Sequence, residues 1–483
     1  MSNGRLFGTD GVRGRVGEAP MTPEMVMRLG HAAGRVLAGL AGRRRARGAP
    51  AVLIGADTRI SGYMIEAALG AGFASAGVNV VHAGVLPTPA VAYLTRTLGL
   101  QAGVVVSASH NPFEDNGIKF FSARGDKLPD AVERAIEAEL QSPLACVPPA
   151  RLGTSTWVAD ACSRYVEFCK RTAPADLVLR GMRLVVDCAH GAGYRAAPEA
   201  LRDLGAEVVV VGGEPNGRNI NDHVGATVPD HLAQAVRRHR ADVGIALDGD
   251  GDRLLMADGD GTTYDGDQLL YVIARHWQQR GEMTGGVVGT VMTNFGLEQA
   301  LGENGIPFMR TAVGDRFVME ALVQRQWLLG GETSGHIICR NKHSTGDGIV
   351  AALQVLAAMR RSRRSLAQLT HPLTLCPQKL INVRIAKDAP WRENLAIARL
   401  QREIEKDLAG AGRVLLRASG TEPVLRVMVE ARSPDQAESL ACRLAEAVAT
   451  ELAGEPGLCG AAEGTPQEPG LDSMILPSRR WSV

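Results

Sequence analysis

Among its 483 residues the sequence has no CxxC pair, no apolar run approaching 18 residues and no excess charge of either sign. The eight cysteines stand singly, which argues against a zinc ribbon or disulfide scaffold and for reduced thiols. Lys+Arg number 53 against 52 for Asp+Glu, a formal net charge of +1, so no nucleic-acid partner is expected. The run Arg43-Arg44-Arg45-Ala46-Arg47 reads as a solvated loop. The start, Met1-Ser2-Asn3-Gly4-Arg5-Leu6, shows no apolar signal region, and no span suits a bilayer. A soluble, cytoplasmic protein without a membrane partner is the expectation.

The most pointed feature present is Asp248-Gly249-Asp250-Gly251-Asp252-Arg253, directly after the apolar run Val243 to Leu247. Three carboxylates so close repel one another unless a hard cation takes up their charge, and the glycines let their oxygens converge. Mg²⁺ and metal-assisted phosphate chemistry follow. An EF-hand is excluded, because the twelfth position from Asp248 is Gly259 and the sixth is Arg253.

A unit of strand, turn, helix, strand and a third strand ending in a polar motif occurs three times. The first copy has strands at Val52–Ile54, Val78–Val81 and Val104–Val106 and ends at Ser107-Ala108-Ser109-His110-Asn111-Pro112. The second has strands at Leu184–Val186, Val208–Val211 and Gly244–Leu247 and ends in the aspartate loop. The third has strands at Val287–Gly289, Ile306–Phe308 and Trp327–Leu329 and ends at Gly331-Glu332-Thr333-Ser334-Gly335-His336. This pattern predicts three similar α/β domains with mixed sheets, whose motifs share one central cleft beyond the strand ends.

A fourth segment reads as a smaller α+β domain: a strand at Ile381–Ile385, a helix at Arg392–Leu408, paired strands, and a last helix capped by Ser433 with Pro434 in its first turn. Between its paired strands lies Arg417-Ala418-Ser419-Gly420-Thr421-Glu422-Pro423, with Arg426 beyond. Arginines, hydroxyls and a glycine turn suit a phosphate, although a plain hairpin loop would also fit. The boundaries expected are 1–153 (serine loop), 154–254 (metal binding), 255–372 (sugar recognition), 373–453 (phosphate binding) and a disordered tail at 454–483.

These motifs, with Phe7-Gly8-Thr9-Asp10-Gly11-Val12-Arg13-Gly14, Asn116-Gly117-Ile118-Lys119, Asn219-Ile220-Asn221 and Val313-Gly314-Asp315-Arg316, resemble the α-D-phosphohexomutase superfamily over residues 1 to about 452. Within it the chain looks most like the bacterial branch acting on glucosamine phosphates. The resemblance implies that Ser109 is a phosphoserine and that glucosamine 6-phosphate and glucosamine 1-phosphate interconvert through a 1,6-bisphosphate, feeding UDP-N-acetylglucosamine synthesis for the cell envelope. It further implies that Ser109, Asp248, Asp250 and Asp252 hold Mg²⁺, with Arg13 and Arg253 adding positive charge. Lys119 and His110 are then candidates for proton transfer. Glu332, Ser334 and His336 would hold the sugar, and Arg417, Ser419, Gly420, Thr421 and Arg426 the phosphate that is not reacting. Partners would be the hexosamine monophosphate and bisphosphate, with the enzyme a monomer or homodimer. Without the resemblance, His110, His336 and Lys119 could be structural or surface residues. A mutase acting on mannose or glucose phosphates is the alternative activity.

Two other motifs compete. Asp258-Gly259-Asp260-Gly261-Thr262 matches the DxDGT signature of haloacid-dehalogenase phosphatases, but flanking strands at Leu254–Ala257 and Thr262–Tyr264 favour a hairpin. Gly191-Ala192-Gly193-Tyr194-Arg195-Ala196, with Glu214 beyond, resembles a dinucleotide fingerprint, yet Asp187 to His190 separate it from its strand.

Overall fold

The three repeats become three sheets that share one strand order. The computed structural model describes residues 6–8, 10–42, 49–386, 389–419 and 423–452. The predicted tail at 454–483, the basic run at 43–47, Thr9, Gly420, Thr421 and Glu422 lie outside these. The first sheet contains β1 (Val12–Arg15), β2 (Ala51–Ala56), β3 (Asn79–Val85), β4 (Ala102–Val106), β5 (Asp115–Ser122) and β6 (Ser155–Trp157), in the order β1-β5-β4-β2-β3-β6. The second contains β7 (Arg183–Asp187), β8 (Glu207–Val211), β9 (Val243–Leu247), β10 (Leu254–Asp258) and β11 (Thr263–Tyr264), in the order β11-β10-β9-β7-β8. The third contains β12 (Val287–Thr290), β13 (Phe308–Thr311), β14 (Leu329–Gly331) and β15 (Ile337–Cys339), in the order β13-β12-β14-β15.

In each sheet the repeat's first strand lies between its second and third, parallel to both, and a fourth strand returns antiparallel beside the third. The polar motifs are the turns between those third and fourth strands. Their placement at one end of each sheet is therefore a consequence of topology. β4 and β9 are buried at every residue, as strands covered on both faces must be, which explains their unbroken apolar runs.

The helix Gly348–Ser362 is buried from Gly348 to Met359 and packs on the helices Gly266–Gln279 and Ala161–Thr172, joining the second and third sheets in one core. Asp347 caps it, its Oδ1 accepting the N–H groups of Ile349 and Val350 at 3.0 Å each. Among the described residues no helix is long and apolar enough to cross a membrane.

Several expected elements shift in their bounds, among them the strand predicted at Ile381–Ile385, which runs Gln378–Arg384. The strand predicted at Ile306–Phe308 begins at Phe308, since Pro307 has no N–H for a ladder. The strand predicted at Trp327–Leu329 is Leu329–Gly331, because Trp327 closes the preceding helix: Gln326 is left-handed at φ 57° and Trp327 N donates to Leu322 O at 3.0 Å. The helix predicted from Arg392 starts at Leu395, capped by Asn394. Cys146, Cys162, Cys169, Cys188 and Cys339 are free, whereas Cys442 is disulfide-bonded, against the expectation of thiols throughout.

The described residues between Cys376 and Leu452 belong to a separate compact unit. Its sheet has β16 (Gln378–Arg384), β17 (Arg413–Ala418) and β18 (Val424–Glu430) in the order β16-β18-β17, all antiparallel. β16 alternates exposure, with Ile381 and Val383 facing a core shared with the helices Leu395–Asp407 and Pro434–Glu451. Ser433 caps the latter by accepting from Gln436 N at 3.2 Å.

Candidate active site

Ser109 sits in the turn between β4 and β5 with a left-handed backbone, φ 55°. A serine in that region costs on the order of 1–3 kcal/mol, so the surroundings must enforce it. They do so through carbonyls: Arg59 Nη2 donates to Ser109 O at 3.2 Å and also to Asn111 O, and Asn221 Nδ2 donates to the same two oxygens at 2.9 and 3.0 Å. Ser109 N in turn donates to Ser107 Oγ at 2.9 Å, and Ser107 and the fully buried Arg59 both bond Asp57. This conformation aims the hydroxyl at the aspartate loop, where Ser109 Oγ donates to Asp248 Oδ2 at 2.6 Å. Arg59 went unrecognised in the sequence. Asp57-Thr58-Arg59 directly follows β2, and a polar run closing an apolar strand was the available signal.

The aspartate loop approaches closely enough to require glycine. A Cβ on Gly249 would lie 2.5 Å from Ser109 O and 2.8 Å from Asn221 Nδ2. Asp248, Asp250 and Asp252 are buried, and one ligand oxygen from each falls within 4.8 Å of the others. Burial and the neighbouring Asp252 and Asp250 push the Asp248 carboxyl up to about 8. Asp250 Oδ1 and Asp252 Oδ1 are buried and accept no hydrogen bond. Excess charge and unused oxygens converging on one point are what a hard cation relieves, so this donor set fits a metal.

Cations surround the loop. Lys119 Nζ, on β5, lies 2.8 Å from Asp250 Oδ2, 3.1 Å from Asp10 Oδ2 and 3.5 Å from Asp252 Oδ2. Burial opposes its charge, but Asp10, Asp250 and Asp252 outweigh that and raise its pKa, so it holds its proton. Arg13 donates to Ala108 O at 3.3 Å and pairs with Asp10. Arg253 N donates to Asp248 Oδ1 at 3.1 Å. His110 Nδ1 lies 3.4 Å from Ser109 Oγ. Burial, then Arg253 and Arg13, lower the His110 pKa to about 4, leaving a neutral imidazole.

The third turn is held against the same place. Glu332 Oε1 accepts from Gly314 N at 3.0 Å, Gly266 N donates to Thr333 O at 3.0 Å, and Thr333 Oγ1 donates to Asp267 Oδ2 at 2.9 Å. Ser334 is exposed. His336 is buried with Nδ1 3.6 Å from Asp252 Oδ1 and Nε2 3.5 Å from Asp315 Oδ2. Burial disfavours its charge, yet Asp252, Asp315 and Glu332 raise its pKa to about 9. The structure thus brings together Ser109, His110, Lys119, Arg13, Arg253, the three aspartates and His336, with Glu332 on the adjoining turn. In the separate C-terminal unit, Arg417 and Arg426 are register partners on β17 and β18, which sets both side chains on one face of the sheet. Ser419 follows β17, its N–H donating to Val424 O at 2.8 Å.

The competing motifs resolve into structure. Asp258 closes the β10–β11 hairpin, accepting from Asp260 N, Thr262 N and Tyr264 Oη at 3.1, 2.9 and 2.7 Å. Gly191 is where the second sheet's first turn meets the aspartate loop: Ala192 N donates to Gly249 O at 2.8 Å, and a Cβ on Gly191 would lie 2.4 Å from that oxygen. Its glycine makes room for the loop.

Three linked α/β repeats and a serine facing buried carboxylates define a phosphotransferase-type architecture, and sequence comparison places it. Models of the phosphoglucomutase/phosphomannomutase alpha/beta/alpha domains I, II and III match residues 4–144, 163–261 and 265–375, and that of the C-terminal domain matches 380–447. The chain belongs to the phosphoglucomutase/phosphomannomutase family. It is 58% identical over 444 residues to the phosphoglucosamine mutase of Cupriavidus taiwanensis, covering 92% of this chain and 99% of that protein. It is 60% identical to that of Thiobacillus denitrificans, covering 92% and 97%. In fold it resembles a phosphoglucomutase/phosphomannomutase family protein from Burkholderia thailandensis (TM-score 0.77, 22% identity, 94% of this chain and 99% of that one). It also resembles Aspergillus fumigatus N-acetylphosphoglucosamine mutase in complex with GlcNAc-6P and magnesium (TM-score 0.63, 19% identity, 92% and 96%).

Proposed function

We propose that the chain is a cytoplasmic phosphoglucosamine mutase, active as a monomer or homodimer, that interconverts glucosamine 6-phosphate and glucosamine 1-phosphate through phosphorylated Ser109. The observation that carries this reading is Ser109 Oγ held 2.6 Å from Asp248 Oδ2 by a backbone that four hydrogen bonds keep left-handed. Asp248, Asp250, Asp252 and the Ser109 phosphate would hold Mg²⁺, which when bound neutralises charge on the transferring phosphoryl group.

In the first half-reaction a sugar hydroxyl oxygen bonds the phosphorus while the bond from phosphorus to Ser109 Oγ breaks. The hydroxyl proton leaves to a base, and Ser109 regains a proton. The neutral imidazole of His110, 3.4 Å from Oγ, suits that exchange. Lys119 keeps its charge and, with the Arg13 guanidinium, offsets those on the phosphoryl oxygens. The 1,6-bisphosphate then turns about and returns its other phosphate to Ser109. Glu332, Ser334 and His336 would hold sugar hydroxyls in both orientations, and Arg417, Ser419, Gly420, Thr421 and Arg426 the distal phosphate.

Mutase rates on glucosamine, glucose and mannose 6-phosphates, each with Mg²⁺, test the reading. Glucosamine 6-phosphate is expected to be preferred. A preference for mannose 6-phosphate would overturn the substrate assignment.

A further inference from the structure

Lys127, a residue outside the machinery described above, closes a ring of alternating charge. It lies just beyond β5, and its Nζ is 2.6 Å from Asp10 Oδ1 and 2.7 Å from Asp315 Oδ1. Asp10 continues to Lys119 at 3.1 Å, Lys119 to Asp252 at 3.5 Å, Asp252 to His336 at 3.6 Å, and His336 back to Asp315 at 3.5 Å. Three carboxylates and three basic side chains thus alternate, drawn from the first repeat (Asp10, Lys119, Lys127), the second (Asp252) and the third (His336, Asp315).

Each carboxylate the Lys127 ammonium touches positions something else. Asp10 also pairs with Arg13, which donates to Ala108 O in the serine turn, and with Lys119, which bonds Asp250 in the aspartate loop. Asp315 opens the helix Asp315–Arg325 directly after Gly314, whose N–H holds Glu332 Oε1 at 3.0 Å. Arg316, the next residue, reinforces the join by pairing with Asp130 and with Glu133 at 2.6 Å. The Lys127 side chain is only 16% exposed, so solvent screens its two ion pairs weakly. An ammonium is a compact charge that two carboxylates can share, and without it Asp10 and Asp315 would each lose a short partner while facing the same space.

We infer that Lys127 is a positioning residue that sets the register between the phosphoryl-transfer half of the site and the sugar-holding turn. It reaches neither Ser109 nor the aspartate triad directly and acts through Asp10 and Asp315. The inference rests on the mutase reading for the nature of the reaction, but not on the choice of sugar. In-line transfer tolerates little misplacement, so the loss belongs in the transfer rate more than in binding.

The test is the rate at which the full-length protein's Ser109 takes a phosphoryl group from glucose 1,6-bisphosphate with Mg²⁺, followed by intact mass. Lys127→Met is expected to slow transfer tenfold or more at saturating bisphosphate, with half-saturation within about threefold of the parent protein and the thermal midpoint within a few degrees. Lys127→Arg, which keeps a charge able to bridge two carboxylates, is expected to recover most of the rate. Transfer at the parental rate in Lys127→Met overturns the inference. So does a loss that tracks thermal stability and is as large in Lys127→Arg, since that marks a mere brace. If the parent protein accepts the bisphosphate but does not turn over glucosamine 6-phosphate, the substrate assignment fails while the Lys127 comparison still decides.

Discussion

Asn221 and Ser109, 112 residues apart, are joined by a hydrogen bond of 2.9 Å from the Asn221 side chain to the Ser109 carbonyl. Both have left-handed backbones, φ 59° and 55°. The second repeat therefore holds in place the turn that presents the first repeat's hydroxyl. Asn221→Ala removes this bond and the one to Asn111 O, each worth about 0.5–1.5 kcal/mol. Turnover is expected to fall roughly five- to a hundredfold, with Mg²⁺ dependence little changed. Steady-state kinetics across Mg²⁺ concentrations check this, and unchanged turnover would show that Arg59 suffices.

Asp250, one of the three clustered carboxylates, accepts from Thr88 Oγ1 and Lys119 while leaving Oδ1 unused. Asp250→Asn is expected to lower turnover by on the order of 10² or more, the scale of several kcal/mol of lost transition-state stabilisation. Isothermal titration with Mg²⁺ should show weakened binding in parallel. Intact metal affinity with unchanged turnover would remove Asp250 from the site.

Much of this arrangement was legible before the fold. The aspartate loop declared itself because crowded carboxylates on glycines have few other uses, and the threefold pattern because strands buried on both faces read as unbroken apolar runs. What escaped were residues whose meaning is tertiary. Arg59 is buried against carbonyls of a turn some 50 positions away, and Lys127 matters only because Asp315 folds back onto it. The third sheet was misplaced where Gly330 and Gly331 stand in a strand. A Cβ at Gly330 would lie 2.8 Å from Val288 O, so close packing dictated a residue that local propensity reads as a turn.

Asp258 tests the phosphatase alternative. Asp258→Asn is expected to leave turnover within about twofold, because its carboxylate serves the hairpin, while lowering stability by about 1–2 kcal/mol through weakened buried hydrogen bonds. Parallel assays of activity and thermal midpoint separate the two effects. Loss of activity with stability intact would restore a catalytic role.

Glu66 sets a pH dependence of stability. Burial pushes its carboxyl from 4.5 up to about 7, and its Oε1 has no hydrogen-bond partner. Below pH 4.5 both folded and unfolded chains keep this proton. Between 4.5 and 7 only the unfolded chain releases it, so stability falls as pH rises through that window, by about 3 kcal/mol. Glu66→Gln removes the term, and its stability relative to the parent protein is expected to rise between pH 4.5 and pH 8. Denaturant unfolding at both values measures the difference, and an equal difference at both would show that Glu66 titrates normally.

Everything in the proposed reaction turns on Ser109 carrying the phosphoryl group. The direct measurement is intact mass with peptide mapping of the purified protein, before and after hydroxylamine, alongside the turnover of Ser109→Ala. A phosphate on Ser109 that survives hydroxylamine, as a serine ester does, is expected, with no turnover in Ser109→Ala. A hydroxylamine-labile phosphate at Asp258, with Ser109→Ala still active, would contradict it.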